Sequence, residues 1–234
     1  MILSDNQIKD INTWFEIAPP MGGKTQWVDG RSAKELARYI TKDLPNVPKE
    51  MQQLLLSFVP EDSVFEWGAE YVTDFFSAGL GKGNGRNHDA VLFNDNFFVG
   101  IEGKADESFG TDLNGTAYNE GSSNKQKRIE GLTEMIFGGH PNNHRNIRYQ
   151  LLTATAAILL EAKNRNLKEA LFLVLVFKKD GKFDPIKVES NNEDIRRFLQ
   201  ETGAIHKGDY WEIPTHYGEM NGIKLYFAKM EIEI

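Results

Sequence analysis

Two short apolar stretches with three polar residues between them form the clearest local pattern in this chain. Residues 90–93 and 97–101 are rich in β-branched and aromatic side chains, and residues 94–96 read Asn-Asp-Asn. Such runs around a short Asn/Asp turn are typical of a β-hairpin. The pattern therefore predicts two antiparallel strands within residues 89–104.

Apolar residues at helical spacing predict seven helices, some of them with recognisable ends. Ser32 followed by Glu35 is the capping-box pattern that starts a helix, and Gly138 is of the residue type that commonly ends one. The predicted helices cover residues 6–17, 30–42, 48–57, 61–70, 122–138, 146–166 and 192–200.

Further strands are predicted at 71–77, 169–177 and 223–232. The second of these runs is continuously apolar, which is typical of a central strand covered on both faces. A glycine-rich loop at 79–88 and an irregular polar segment at 105–122 flank the hairpin.

The order of these elements predicts an α/β fold with a mixed sheet. The strands between residues 71 and 104 follow one another closely and are expected to be antiparallel. The long helix that begins near residue 146 then crosses over to the apolar strand, which is expected to lie parallel to one of them.

Composition favours a compact folded protein without disulfides. The chain has 234 residues, of which 40% are hydrophobic and none is cysteine. No apolar run approaches the ~18 residues that a membrane helix needs, and residues 1–14 lack the basic and apolar regions of a secretory signal. We expect a soluble cytoplasmic protein with no membrane partner.

Charge is unevenly distributed along the chain. The net charge is −7, which is unusual for a protein that binds nucleic acid. Residues 124–168, however, hold eight Lys or Arg and three Glu, so this segment carries +5 and the remainder −12. A basic segment on an acidic body can bind phosphate locally, although solvated helix faces would account for the same pattern.

The predicted hairpin carries candidate chemistry at its open end. With a two-residue turn at 95–96, counting back along both strands places Asp89 opposite Glu102. Glu102 and Lys104 share one face and Gly103 the other, because side chains alternate along a strand. Charged groups seldom lie at the end of an apolar hairpin unless they pair with each other or bind a metal.

Two carboxylates and an ammonium group suit metal-assisted hydrolysis. Mg²⁺ prefers one or two carboxylates and keeps its other positions for water and phosphate oxygens. A lysine beside the metal can hold the attacking water and offset negative charge in the transition state. A salt bridge at the edge of a sheet would explain the same residues without any catalysis.

This arrangement resembles the PD-(D/E)XK superfamily, the restriction-endonuclease-like phosphodiesterases. Asp89, twelve intervening residues and then Glu102-Gly103-Lys104 resemble its motif, with His88 where the motif has proline. The segments GRSAKELAR, IEGKADESFG and IRYQLLTATAAILLEA also resemble an uncharacterised bacterial family within the superfamily.

The resemblance implies a fold and its division along the chain. We expect a restriction-endonuclease-like αβββαβ core in residues 61–177, preceded by a helical part at 1–60. Residues 178–234 would form a C-terminal α/β extension of the same single domain, so that the whole chain, 1–234, is one unit.

The resemblance also implies roles for the residues that match the motif. Asp89 and Glu102 would bind Mg²⁺ (or Mn²⁺), with the carbonyl of Gly103 as a third ligand, and Lys104 would position the attacking water. Many members also carry an additional acid that reaches the metals, and Glu70 is the candidate for this catalytic-site residue, ahead of Glu66.

The expected partner is nucleic acid, with DNA favoured. A glutamine on the crossover helix of some nuclease branches suggests a role for Gln150, and the basic segment would supply contacts to the phosphate backbone. Restriction-like enzymes often act as dimers, so a homodimer is one expected assembly. The predicted nucleic-acid-binding residues are Gln150, Arg148, Lys125, Lys127 and Arg128.

Two other functions stay open at this point. Some members of the superfamily have lost catalysis, so the chain could be an inactive binding or adaptor protein on the same fold. Residues 18–25, which end in Lys24-Thr25, match a relaxed phosphate-loop pattern. Pro19-Pro20 stiffens the approach to that loop, so a rigid surface turn is the favoured interpretation.

Overall fold

The computed structural model describes residues 1–80, 85–113, 122–179, 181, 183–215 and 222–234. Residues 81–84 of the predicted glycine-rich loop and 114–121 of the irregular segment lie outside these ranges. The helices are α1 (Ile11–Ile17), α2 (Ser32–Thr41), α3 (Lys49–Leu55), α4 (Ser123–Phe137), α5 (Tyr149–Asn164) and α6 (Pro185–Glu201). The strands are β1 (Ile2–Leu3), β2 (Val64–Thr73), β3 (Arg86–Phe93), β4 (Phe97–Lys104), β5 (Glu169–Lys178), β6 (Ile205–His206), β7 (Trp211–Ile213) and β8 (Lys224–Glu233).

The described strands form one mixed sheet of eight strands, in the order β1-β2-β3-β4-β5-β8-β7-β6. β3 is antiparallel to both of its neighbours, β2 and β4, as the close spacing of these strands predicted. β5 lies parallel to β4 after the crossover through α5, and β8 lies parallel to β5 on its other side. The mixed α/β class predicted from the sequence is therefore confirmed.

Helices cover both faces of the sheet, which explains why the central strands are apolar throughout. On β5, Phe172 and Val174 pack in one core cluster, together with residues of α4, α5 and α6. Leu173 and Leu175 pack in the other cluster, with residues of α1, α2 and α3. A strand buried on both faces shows no polar alternation, and all eight residues 170–177 of β5 are buried.

The hairpin of β3 and β4 has the predicted register. The amide of Asn94 donates to the carbonyl of Phe97 over 3.0 Å, and Phe93 pairs with Phe98. Asn94 also accepts hydrogen bonds from the amides of Asn96 and Phe97 through its Oδ1 atom. This side chain satisfies the turn amides, so the local sequence is sufficient to fix the turn.

One predicted helix is wrong: residues 61–70 lie mainly in β2, which also includes residues 71–73 of the strand predicted at 71–77. Phe65 and Trp67 are buried while Val64 and Glu66 are exposed. That two-residue alternation is the signature of a half-covered strand, and it outweighs the helix propensity of a few residues.

Helix α2 is present as predicted, but its capping differs from the expected capping box. Ser32 is the first helical residue and Arg31 is the cap, with no side-chain capping bond of its own. Glu107 accepts hydrogen bonds from the Ser32 amide and hydroxyl instead. A residue 75 positions away therefore caps this helix, and it ties the loop after β4 to α2.

Helix α5 packs closely on the sheet because β4 carries a glycine beneath it. A Cβ added at Gly100 would lie 2.5 Å from a side-chain carbon of Ile158. Such a contact is far below normal packing distance, so a side chain at residue 100 would push α5 outward. This close approach determines the distance between α5 and β4, and therefore how near the first turn of α5 lies to the end of β4.

Helix α6 is longer than predicted, since it starts at Pro185 rather than at residue 192. Asp184 caps it by accepting from the Ile186 amide, and proline occupies the first helical position. Both are common start signals. Within the residues described, no helix is long and apolar enough to cross a bilayer.

Candidate active site

A polar cavity of about 400 Å³ lies where β3 begins, near the ends of β2 and β4 and beside the first turns of α2 and α5. The four predicted catalytic residues, the predicted backbone ligand and the glutamine of α5 all line it. These residues are Glu70, Asp89, Glu102, Gly103, Lys104 and Gln150.

Asp89 lies at the point where β3 separates from β4. The pair of the hairpin farthest from its turn is Ala90 with Ile101, and beyond it the Asp89 carboxylate takes the place of a backbone acceptor. Its Oδ2 atom accepts a hydrogen bond from the Gly103 amide over 2.8 Å. Burial raises the pKa of Asp89, and the neighbouring Glu102 charge raises it further.

Glu102 is buried between two cations. Its Oε1 atom lies 2.9 Å from Lys104 Nζ, and its Oε2 atom accepts from an Arg86 NH2 group. Only 3% of Glu102 is exposed, so burial acts to raise the pKa of this carboxyl. Arg86 and Lys104 outweigh that effect and lower the pKa below its ordinary value, which keeps Glu102 ionised.

Lys104 is held from two sides at the inner end of the cavity. Besides Glu102, its Nζ atom donates to Gln150 Oε1 over 2.9 Å. The ammonium also lies 5.0 Å from the centre of the Phe109 ring, at cation–π distance. An ammonium has three N–H donors, so these contacts fix its direction while the residue still lines the cavity.

Glu70 reaches the cavity through an unusual backbone conformation. Its φ angle is +47°, in the left-handed region that residues other than glycine seldom adopt. The pairs Ala69–Ala90 and Tyr71–His88 flank it, so Glu70 lies opposite Asp89. Its carboxylate accepts from the Asn87 amide group, and burial raises its pKa to about 7. Glu66, the second candidate, is exposed on β2 and does not line the cavity.

Arg86, Asn87 and Glu107 are among the residues lining the cavity that sequence reasoning missed. Arg86 and Asn87 belong to β3, whereas the sequence predicted a loop up to residue 88. Glu107 accepts from the amides of Ala105 and Ser32. No spacing rule singles out these residues, because their roles depend on where the strand and the loop turn.

The oxygen donors of the cavity fit a hard divalent cation. Asp89 and Glu102 supply carboxylates, and Asn87 Oδ1 is buried without a hydrogen-bond partner among the described residues. No group of three or more His, Asp or Glu side chains gathered as a metal centre occurs in the described part of the chain. The donor set is therefore two carboxylates completed by amide, backbone or water oxygens, which is the kind of site that Mg²⁺ occupies.

The predicted nucleic-acid-binding residues other than Gln150 lie outside this cavity. Lys125 lies 5.7 Å from the Tyr149 ring centre at the start of α5. Lys127 is exposed on α4. Arg128 donates to the Leu80 carbonyl and lies over the Phe75 ring, so that side chain joins α4 to the segment that follows β2.

Arg148 is engaged inside the protein. Its Nε donates to Asp194 Oδ2 over 2.8 Å, and its NH1 group donates to the Gly110 carbonyl. These contacts tie the loop after β4 to α5 and α6, so the structure places Arg148 among the residues that support the cavity wall.

Arg148→Met is expected to act on stability more than on binding. Asp194 is only 5% exposed, so the substitution would leave its carboxylate without its partner and lower the free energy of unfolding by about 3 kcal/mol. Urea unfolding measures this loss, and Arg145→Met, whose guanidinium contacts Asn142 near the surface, is the matched control. An unchanged unfolding midpoint together with weakened oligonucleotide binding would instead mean that Arg148 contacts the nucleic acid directly.

The phosphate-loop interpretation of residues 18–25 lacks its required context. A phosphate loop follows a strand and opens a helix. Here helix α1 precedes the segment, and a three-residue 3₁₀ helix, Gly23–Thr25, follows its prolines. Pro20 and Thr25 nevertheless line the rim of the cavity, so this segment is a wall of the candidate site.

Comparison with protein families identifies the family of this chain. No curated protein and no solved structure matches the chain. A family model described as a domain of unknown function, DUF6946, matches residues 7–234. This match covers nearly the whole sequence, and the chain therefore belongs to the DUF6946 family.

Proposed function

We propose that this protein is a Mg²⁺-dependent nuclease of the restriction-endonuclease-like type that hydrolyses phosphodiester bonds in nucleic acid, with DNA as the expected substrate. One observation carries the proposal: Asp89, Glu102 and Lys104, which lie on two strands, line a single polar cavity. A surface salt bridge would explain the pairing of Glu102 with Lys104. It would not explain why both residues line a cavity together with two further acids, Asp89 and Glu70.

Each residue has a defined task in this proposal. Asp89 and Glu102 would hold the metal, with oxygen atoms of Gly103 and Asn87 as further donors. When bound, the metal would supply Lewis-acid polarisation of the phosphate and lower the pKa of a bound water. Lys104, directed by Gln150, would hold the attacking water beside the phosphorus and offset negative charge that develops there.

Glu70 is suited to receive a proton during hydrolysis. Attack by water on a phosphodiester releases one proton, and a base is most effective when its pKa lies near the working pH. Burial raises the pKa of Glu70 to about 7, and its carboxylate is 19 positions before Asp89 in sequence yet lies opposite it in the sheet. We therefore assign Glu70 the role of proton acceptor.

The order of elements supports the same proposal. Helix α2, the strands β2, β3 and β4, helix α5 and the parallel strand β5 occur in the order of the αβββαβ arrangement of the superfamily, with α3 inserted before β2 and α4 inserted before α5. The candidate residues lie at the ends of β2, β3 and β4, at the side where α5 begins. The helices at the N-terminus and the strands after β5 would be additions to that core.

The direct test compares wild type with Asp89→Asn. Asparagine keeps an oxygen that can accept from the Gly103 amide, and it removes a carboxylate whose charge is disfavoured by burial. The variant should therefore melt at or above the wild-type temperature in EDTA. It should lose cleavage of plasmid and single-stranded DNA in Mg²⁺ or Mn²⁺, and it should lose the stabilisation that bound metal gives wild type.

Three outcomes separate the candidate functions. Cleavage and Mn²⁺ binding in wild type, both lost in a folded Asp89→Asn, support the nuclease. Oligonucleotide binding by wild type without cleavage or Mn²⁺ binding would favour the inactive binding protein on the same fold. Equal cleavage by wild type and Asp89→Asn would show that Asp89 is not a residue of the catalytic site. RNA of the same sequence, tested in parallel, decides the class of nucleic acid.

A further inference from the structure

Arg86 is a charged residue of the cavity to which the proposed hydrolysis gives no role. Its side chain is 15% exposed, and the residue lines the cavity. One of its NH2 donors contacts Glu102 Oε2. Its Nε–H group is buried and has no hydrogen-bond partner among the described residues. A buried donor without a partner costs free energy, so a position of the guanidinium that gives this donor an acceptor would be favoured.

The backbone that carries Arg86 is fixed in place. Residue 85 is glycine, and an added Cβ there would lie 1.9 Å from the Thr73 carbonyl oxygen. No side chain fits in that space, so β3 starts in direct contact with β2. Arg86 pairs with Thr73 across these strands. Any change in its contacts therefore arises from the guanidinium and its flexible stem, and not from the strand.

Two cationic side chains surround the single negative charge of Glu102. Lys104 and Arg86 both contact this single carboxylate. Lys104 is retained by a second partner, Gln150, over 2.9 Å, whereas Arg86 has no second partner of this kind in the described structure. A divalent cation on Glu102 would repel both neighbours, and Arg86 is the one that is free to leave.

We propose that Arg86 is the phosphate-binding residue of this site: its guanidinium holds Glu102 while no metal is present and turns to the scissile phosphodiester when metal takes that carboxylate. This inference rests on the proposed nuclease function and adds a residue to it. A guanidinium presents donors in a planar fork that matches two oxygens of one phosphate. The exchange keeps a cation beside an anion in both states, so neither state leaves a buried charge alone.

The test measures oligonucleotide affinity with and without metal. The probe is a fluorescently labelled DNA oligonucleotide, and Ca²⁺ replaces Mg²⁺ so that binding is separated from cleavage. With Ca²⁺, Arg86→Gln should bind the probe about tenfold to a hundredfold more weakly than wild type, as expected for loss of hydrogen bonds to a charged group. In EDTA the two proteins should bind equally, because Arg86 is then engaged with Glu102.

Mn²⁺ binding to the DNA-free protein gives a second readout that does not depend on cleavage. Removing the competing guanidinium should leave the affinity of Arg86→Gln for Mn²⁺ equal to or above that of wild type, as measured by electron paramagnetic resonance. Arg86→Lys keeps the charge without the fork and should bind the probe with intermediate affinity. Arg196→Gln, on the exposed face of α6, is the control and should match wild type in both measurements.

The outcomes of this test separate the role of Arg86 from the function as a whole. Equal affinity of wild type and Arg86→Gln in Ca²⁺ would overturn the inference while leaving the nuclease in place. Loss of Mn²⁺ binding in Arg86→Gln and also in Arg86→Lys would overturn it as well, since Arg86 would then only orient Glu102. Failure of wild type to bind Mn²⁺ would refute the proposed function itself.

Discussion

Replacing Lys104 with methionine is expected to lower the rate of Mg²⁺-dependent DNA cleavage by about 100- to 10,000-fold. This range is typical for loss of one group that acts on the proton or the charge in the transition state. Methionine fills a similar volume beside Phe109 but offers no donor to water or to Glu102. Glu102 keeps Arg86 as its partner, so the fold and the metal site should persist. Plasmid nicking under single-turnover conditions measures the effect.

A matched control shows whether the loss is specific to the position. Lys224→Met removes the same charge from β8, where Lys224 pairs with Glu169 and is 60% exposed in its side chain, and it should cleave at the wild-type rate. Lys104→Met should still bind Mn²⁺. A variant that cleaves within threefold of wild type would contradict the role of Lys104, and so would one that fails to bind Mn²⁺, since Lys104 would then hold the site together.

Replacing Glu102 with glutamine is expected to destabilise the fold strongly. Glu102 is the common partner of Arg86 and Lys104, whose side chains are 15% and 6% exposed. Removal of one partner from a buried ion pair costs about 3–5 kcal/mol because the remaining charge stays buried without compensation. Here two cations would remain. For a chain of this size the loss corresponds to a melting temperature lower by about 10 °C, measurable by calorimetry in EDTA.

The chain offers a control with the same local arrangement at the surface. Glu231 also lies between two lysines, Lys178 and Lys229, but its side chain is 42% exposed. Exposed ion pairs contribute little, so Glu231→Gln should unfold within about 0.5 kcal/mol of wild type. Equal losses in the two variants would mean that Glu102 is not buried as described. Equal stability of Glu102→Gln and wild type would mean that the two cations do not depend on it.

The pairing of Arg86 with Glu102 connects these expectations. In the metal-free protein the contact stabilises a buried carboxylate, whereas in the proposed working state the same carboxylate belongs to the metal. Glu102→Gln should therefore lose both stability and metal binding, while Asp89→Asn should lose metal binding alone. This contrast between two acids on neighbouring strands would not be seen if they formed only a structural salt bridge, because neither variant would then change metal binding.

Much of the site could be predicted from the sequence because its central part is local. Asn94 and the residues after it fix a two-residue turn, and counting along two strands from that turn brings Asp89 to Glu102. The alternation of side chains then places Lys104 beside Glu102, as observed at 2.9 Å. Gln150 was predicted from a resemblance, and its contact with Lys104 depends on how closely α5 approaches Gly100.

Other parts of the site could not be predicted, because they depend on contacts between distant segments. Glu70 faces the cavity through a left-handed backbone conformation, and nothing in the sequence around it requires that conformation. The sequence also suggested a helix there, since residues with good helix propensity obscured the alternation of Phe65 and Trp67. The positive charge of Arg148 suggested a phosphate contact. Its actual partner, Asp194, is 46 residues away in sequence, so the ion pair could not be predicted.

The α/β class, the hairpin with its register, and the position of Asp89, Glu102 and Lys104 at its open end follow from short-range patterns, because turns, alternation and apolar runs act over a few neighbouring residues. The tertiary structure decided which other groups surround them: Arg86 against Glu102, Gln150 on Lys104, and Glu107 at the start of α2. These contacts join segments far apart in the chain, and they arise only when helices on both faces pack against the sheet and enclose the charges at its end.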